Sequence, residues 1–156
     1  HSYSPPECRI GDYDGRTDLF LQANLSKSAE MGKDLAETFG EAKLVYEEAN
    51  DFLGIDLSKL CFEGPEDELK LTANTQPAIV ATSTAALRLL QSETGLVPDF
   101  VAGHSLGEYA ALVCAGGLSF ADAVQTVRKR GTFMQDAVAC WCRYHGCHHR
   151  FCCPKS

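Results

Sequence analysis

Residues 99–114 read Asp-Phe-Val-Ala-Gly-His-Ser-Leu-Gly-Glu-Tyr-Ala-Ala-Leu-Val-Cys, and this stretch decides the fold class. Its first part, 99–102, is a short apolar run typical of a buried strand. The part from 106 to 114 has the composition of a helix, closed by the glycine pair that follows it. A strand that enters a helix through a tight turn is a building unit of α/β proteins. The stretch therefore predicts an α/β fold.

The turn itself carries the pattern Gly-x-Ser-x-Gly at 103–107. Between a strand and a helix this pattern predicts a nucleophile elbow, in which Ser105 projects at the positive end of the following helix. The backbone N–H of Leu106 can then stabilise an oxyanion. The alternative is a Gly-rich turn with an exposed serine. Side chains of neighbours on so tight a turn diverge, so we favour a packing or hydrogen-bonding role for His104 over that of general base.

Apolar residues before this stretch recur at helical spacing. They predict two short helices, over about 31–39 and 44–53, interrupted at Gly40. A long apolar-rich helix is predicted from 74 to about 90, with Pro77 near its first turn. All three helices precede the strand in the predicted order.

A last helix is predicted after the glycine pair. Ser119 stands three residues before Asp122, which is the spacing of an N-terminal cap, and the helical period continues to about residue 138. Four apolar residues of this helix are its candidate core positions. They are Phe120, Val124, Val127 and Met134.

Three segments of the chain differ in composition. Residues 1–19 show no hydrophobic period and are predicted to be an irregular leader, whereas 20–138 hold the predicted elements as one domain. Residues 139–156 contain five of the eight cysteines and are predicted to be an aberrant, disordered tail. Zinc binding by the tail is an alternative, but its Cys and His spacing matches no structural zinc pattern. No metal site is therefore predicted.

Charge and composition exclude several classes of partner. The formal net charge of -7 and the pI near 5.1 argue against nucleic-acid and anionic-membrane surfaces, which require clustered Lys and Arg. No apolar run reaches the roughly 20 residues of a membrane span, and the N-terminus has no signal-peptide pattern. We expect a soluble cytoplasmic protein with a small-molecule or protein partner. The first residue is His1, so we expect the sequence to be a fragment.

Residues 103–112 resemble the active-site segment of malonyl-CoA:acyl-carrier-protein transacylases and related polyketide acyltransferase domains. Three further segments resemble the same family, in its order and spacing: Met-Gly-Lys-Asp-Leu at 31–35, Asn-Thr-Gln-Pro-Ala at 74–78 and Arg-Gly-Thr-Phe-Met-Gln at 130–135. The resemblance covers about residues 20–138. It identifies the chain as the N-terminal part of such an acyltransferase domain.

The resemblance implies a mechanism without a cofactor. Ser105 would accept malonyl from coenzyme A as an ester and pass it to the phosphopantetheine arm of an acyl carrier protein. Arg130 would hold the free carboxylate of the malonyl group through its two-pronged guanidinium, and Gln76 would line the site. The fold would be part of an α/β-hydrolase-like large subdomain. The family's general-base histidine and its ferredoxin-like small subdomain would lie beyond residue 156, so we expect this chain by itself to be inactive.

Two stretches depart from the family pattern. Residues 19–25 lack the glycines of the family's oxyanion loop, where Asn24 occupies the position that supplies the second oxyanion N–H. The codons that can encode the residues after Val138, when read one base later, can also encode Pro-Val-Gly-Ala-Gly-Thr-Met. The family continues with this sequence at the same place. We therefore expect a frameshift there. The codons for residues 18–24, when read two bases later, permit part of the family's oxyanion loop. This weaker match predicts a second, compensated frameshift there.

Two other functions share the same elbow. One is a serine esterase or hydrolase, which needs a downstream acid and histidine. The other is a catalytically dead module that only binds carrier protein or coenzyme A. The sequence leaves open fatty-acid or polyketide synthesis, malonyl or methylmalonyl preference, and the oligomeric state.

Overall fold

The computed structural model describes residues 8–13, 16–22 and 32–145. Its sheet has three strands in the order β1 (Cys8–Tyr13), β2 (Arg16–Gln22) and β3 (Phe100–His104). Strands β1 and β2 are antiparallel, while β2 runs parallel to β3 with Leu19 opposite Val101. Helices pack on this small sheet, and the predicted α/β class is confirmed at that level.

The strands β1 and β2 correct the prediction that residues 1–19 lack regular structure. The two strands pair in register, with Tyr13 opposite Arg16. Strand β2 is further held by hydrogen bonds to β3, about 80 residues later in the chain. Hydrophobic periodicity reports only on residues close in sequence, so it does not reveal that β2 pairs with a strand so far along the chain.

Seven helices occur in the described residues. They are α1 (Lys33–Thr38), α2 (Gly40–Leu53), α3 (Leu57–Glu63), α4 (Glu66–Leu69), α5 (Thr72–Thr94), α6 (Gly107–Cys114) and α7 (Phe120–His145). Helices α1, α2, α5, α6 and α7 were predicted, whereas α3 and α4 were not. Helix α5 begins earlier than predicted, so Pro77 lies inside the helix instead of in its first turn. None of these helices is long and apolar enough to cross a membrane.

Helix α7 begins with the predicted cap, because the Asp122 N–H donates to Ser119 Oγ at 3.1 Å. It continues to His145, beyond the predicted end near 138. Each residue added to an existing helix gains one hydrogen bond, and no Gly or Pro interrupts 132–145. The expected disorder from 139 onward is therefore wrong for its first seven residues, 139–145. Residues 146–156 lie outside the described residues.

The core lies between α2, α5 and α7. Of the four candidate core residues of α7, Phe120, Val124 and Val127 are buried as predicted, but Met134 is 45% exposed. All residues of α7 from 132 to 137 are exposed, so this end of the helix lies outside the core. The prediction for Met134 was therefore wrong.

Buried polar groups on α5 are mostly paired. The Thr82 hydroxyl donates to the Ala78 carbonyl, and a 2.8 Å hydrogen bond joins it to the Tyr46 hydroxyl. Thr84 differs, because its Oγ1 is buried without a hydrogen-bond partner in the described part of the chain. Thr84 is thus the one buried polar side chain there whose desolvation is uncompensated.

Replacing Thr84 with valine is therefore expected to stabilise the protein. Valine is close in shape and removes the unpaired hydroxyl, so the free energy of unfolding should rise by about 1 kcal/mol. Thr82→Val is the matched control and should lower it by a similar amount, since that hydroxyl is paired. Urea denaturation of the chain measures both. Equal destabilisation by the two variants would refute the assignment of an uncompensated hydroxyl at Thr84.

Strand β3 was predicted to be buried, and the structure corrects this. It is an edge strand of the described sheet, with β2 as its neighbour in that sheet. Phe100 is 56% exposed, and exposed residues alternate with half-buried ones along the strand. Helix α6 packs against β3 on one face. Ser105, in the turn that follows the strand, is exposed.

Candidate functional site

The β3–α6 turn has the backbone geometry of a nucleophile elbow. Ser105 has a φ of 54°, and among the described residues it is the only non-glycine with a positive φ. Such a backbone conformation costs on the order of 1 kcal/mol or more for a residue with a Cβ, and strain of this kind concentrates at functional sites. The Ser105 side chain is exposed, while the following Leu106 is buried.

Gly103 is required by the packing of β3 against α6. A Cβ at this position would lie 2.1 Å from the Gly107 carbonyl oxygen and 2.5 Å from the Glu108 nitrogen. Both are backbone atoms, so neither can rotate away. The first glycine of the Gly-x-Ser-x-Gly pattern therefore allows the strand and the helix to approach closely enough to form the turn.

Arg130 and Gln76 meet Ser105 at this turn. The Arg130 Nη2 group donates to Ser105 Oγ at 3.3 Å, and its Nη1 group donates to Gln76 Oε1 at 2.8 Å. Gln76 is 5% exposed and Arg130 is half-buried. The structure thus brings together three of the predicted site residues. In sequence, Ser105 is 25 residues and Gln76 is 54 residues from Arg130.

Gly131 explains how α5 and α7 place these side chains together. A Cβ at Gly131 would lie 2.4 Å from the Thr72 carbonyl oxygen and 2.8 Å from the Ala73 Cα. The two helices therefore touch backbone to backbone next to Arg130. A glycine inside a helical pattern is the sequence signal for such a close approach. The sequence analysis did not use this signal.

Met134 is a further contact residue that the sequence analysis missed. The Gln76 Nε2 group donates to Met134 Sδ at 3.2 Å. Met134 follows Arg130 by four residues on α7, so both lie on the same face of that helix. Its partial exposure is accounted for by this position at the edge of the site, beyond the core.

The described groups can hold an acyl group but cannot take the proton of the serine. The Leu106 N–H makes no hydrogen bond to another described residue, so it can serve an oxyanion. The hydrogen bond to Ser105 Oγ that the structure shows comes from Arg130, and a guanidinium is donor-only. His104 is exposed and makes no hydrogen bond to Ser105 within the described part of the chain. Asn24 lies outside the described residues.

Cys61 and Cys114 are poor candidates for a nucleophile. Burial raises the pKa of the Cys61 thiol to about 12, and burial also raises the pKa of Cys114. A thiol of raised pKa is almost wholly protonated at neutral pH and is therefore a poor nucleophile. Over residues 32–137, no three His, Cys, Asp or Glu side chains are grouped so that they could hold a metal ion.

Comparison with known proteins shows the family of the chain. The acyl transferase domain family matches residues 26–140, which is more than half of the chain. Malonyl CoA-acyl carrier protein transacylase of Bacillus subtilis (strain 168) is 57% identical over 108 residues, which are 69% of this chain and 34% of that protein. The chain thus spans about a third of the length of this relative.

Solved structures give the same result for the fold. The malonyl CoA-acyl carrier protein transacylase from Coxiella burnetii superposes with a TM-score of 0.73 at 38% identity, over 77% of this chain and 38% of that one. A malonyl-transacylase in complex with a type II polyketide acyl-carrier protein gives a TM-score of 0.70 at 46% identity, over 76% and 38%. The described fold is part of an acyltransferase fold. This chain belongs to the acyl transferase domain family.

Proposed function

We propose that this chain carries the nucleophile and the carboxylate-binding group of an enzyme that transfers malonyl from coenzyme A to an acyl carrier protein. The proposal rests on the position of the Arg130 guanidinium. Its Nη2 lies 3.3 Å from Ser105 Oγ, and its Nη1 donates a hydrogen bond to Gln76 Oε1. A fixed cation beside a nucleophilic serine fits an acyl group that ends in a carboxylate. The names of the relatives support the same substrate class.

The reaction consists of two transfers through a serine ester. Ser105 Oγ attacks the thioester carbonyl of malonyl-CoA, the C–S bond breaks, and coenzyme A leaves as the thiol with the proton that the serine gave up. The thiol of the carrier protein's phosphopantetheine then attacks the ester and restores the Ser105 hydroxyl. In both steps the Leu106 N–H stabilises the oxyanion, and Asn24 is proposed for the second donor. Arg130 holds the malonyl carboxylate throughout.

The proton transfers require a base that the described residues do not provide around Ser105. We propose that this base is a histidine outside the 156 residues, together with a ferredoxin-like subdomain that covers the site. The described part would then be a portion of the α/β-hydrolase-like large subdomain. On this view the isolated chain forms little acyl-serine, and an intact transferase requires the remaining segments.

Activity is therefore tested in a completed enzyme. We define this as the Bacillus subtilis transacylase in which the matched stretch is replaced by that of the present chain. With malonyl-CoA and carrier protein, the completed enzyme is expected to form malonyl-carrier protein. Ser105→Ala is expected to reduce transfer by at least about a thousandfold, because it removes the hydroxyl proposed to form the ester. Ser92→Ala, an exposed serine at the end of α5, is the matched control and should leave transfer unchanged.

The products distinguish the three candidate functions. A serine esterase would release free malonate instead of malonyl-carrier protein, since water would resolve the ester. A dead binding module would bind carrier protein or coenzyme A and leave the thioester intact. Either result with the unmodified completed enzyme, or full transfer by Ser105→Ala, would contradict the proposed transferase function.

A further inference from the structure

The amide of Gln76 lies between two groups of opposite hydrogen-bonding character. Its Oε1 accepts from Arg130 Nη1 at 2.8 Å, and its Nε2 donates to Met134 Sδ at 3.2 Å. A guanidinium has only donors, whereas a thioether has only lone pairs to offer. Each neighbour therefore recognises a different end of the amide.

This pairing selects one of the two orientations of the amide. If the amide turned by 180°, its NH₂ would face the N–H of Arg130, and its oxygen would face the sulfur lone pairs. Gln76 is 5% exposed, so little water can reach the amide to compensate two such mismatches. Met134 and Arg130 together therefore keep the oxygen of Gln76 directed at the guanidinium.

The backbone holds the three side chains in this arrangement. Gln76 lies on α5, while Arg130 and Met134 lie one turn apart on α7, and the close approach at Gly131 falls between them. Met134 is 45% exposed, so packing in the core does not explain its position. The one hydrogen bond of its side chain within the described residues is the contact to Gln76.

We propose that Met134 is a positioning residue for malonyl recognition, which acts by fixing the Gln76 amide and, through it, one prong of Arg130. The inference rests on the proposed function, in which Arg130 binds the malonyl carboxylate. It adds a residue that touches neither the substrate nor Ser105. Loss of the sulfur acceptor removes one of the two contacts that fix the Gln76 amide, so the guanidinium is less well ordered for a two-pronged contact.

The test is Met134→Leu in the completed enzyme. Leucine has a similar volume and helix propensity but no acceptor. The KM for malonyl-CoA is expected to rise about threefold to tenfold, which corresponds to one hydrogen bond, with little change in kcat. Loading from acetyl-CoA, which lacks the carboxylate, should stay the same. Phe133→Leu, at the neighbouring exposed position of α7, is the matched control and should change neither value.

A double-mutant cycle separates positioning from packing. In a Gln76→Ala background, Met134→Leu should have no further effect on the KM for malonyl-CoA, because the amide through which it acts is gone. Equal losses with malonyl-CoA and acetyl-CoA, or an undiminished effect in the Gln76→Ala background, would overturn the inference.

Two further outcomes separate this inference from the proposed function. If Met134→Leu leaves the KM for malonyl-CoA unchanged while Arg130→Ala raises it, the positioning role is wrong and the proposed function stands. If Arg130→Ala itself leaves malonyl loading intact, the proposed function fails, and the inference fails with it.

Discussion

The completed enzyme with Arg130→Ala is expected to load malonyl about a hundredfold to a thousandfold less efficiently, as measured by kcat/KM for formation of the acyl-serine. The guanidinium supplies two charge-assisted hydrogen bonds to the carboxylate, and each is worth about 1.5–3 kcal/mol. Acetyl-CoA offers no carboxylate, so its loading should not fall. The variant should therefore lose discrimination between the two thioesters as well as activity.

Two further variants on α7 test whether the effect depends on the planar guanidinium and on its position at Arg130. Arg130→Lys keeps the charge but not the planar fork, so it should recover only part of the malonyl loading. Arg128→Ala removes a neighbouring arginine whose Nη1 donates to the Leu53 carbonyl at 3.1 Å, away from Ser105, and should leave loading intact. Equal losses for Arg130→Ala with malonyl-CoA and acetyl-CoA would show that Arg130 supports the fold and does not bind the carboxylate.

The second large effect is expected for Gly131→Ala. Helix propensity alone predicts that alanine stabilises α7 by about 1 kcal/mol. The structure predicts the opposite sign, because the new Cβ would meet the Thr72 carbonyl oxygen at 2.4 Å and force α5 and α7 apart. We expect a loss of about 2–3 kcal/mol in the free energy of unfolding of the chain, measured by urea denaturation.

Gly40→Ala is the matched control for this prediction. Gly40 also lies in a helix, but a Cβ there would have no atom within 4 Å. The control should be unchanged or more stable by up to about 1 kcal/mol. If Gly131→Ala were as stable as Gly40→Ala, the close approach of α5 and α7 at Arg130 would be wrong.

The nucleophile turn could be predicted from the sequence because its determinants are local. Gly103 and Ser105 stand between an apolar run and a helical pattern, and the structure confirms the strand, the turn and the helix in that order. The N-terminal cap of α7 at Ser119 could be predicted for the same reason. The prediction that Ser105 is the nucleophile agrees with this geometry but awaits the experiments above.

Contacts between distant segments were not predictable from local pattern. The hairpin of β1 and β2 depends on pairing with β3, and the contact of Gln76 with Met134 joins residues 58 apart. Met134 was predicted to lie in the core because it follows the apolar period of α7. The period by itself does not reveal that α7 is exposed from 132 to 137. The roles of Arg130 and Gln76 came from family resemblance and stay predictions; the helix crossing at Gly131 explains only why these two side chains lie together.

The most direct measurement is tandem mass spectrometry of the completed enzyme, stopped with acid shortly after it is mixed with malonyl-CoA. We predict a malonyl ester on the peptide that contains Ser105, at lower occupancy in Arg130→Ala and absent from Ser105→Ala. Chasing the loaded enzyme with carrier protein should remove the ester and yield malonyl-carrier protein. A malonyl adduct on another residue, or transfer at full rate with Ser105 unmodified, would contradict the assignment of Ser105 as the nucleophile.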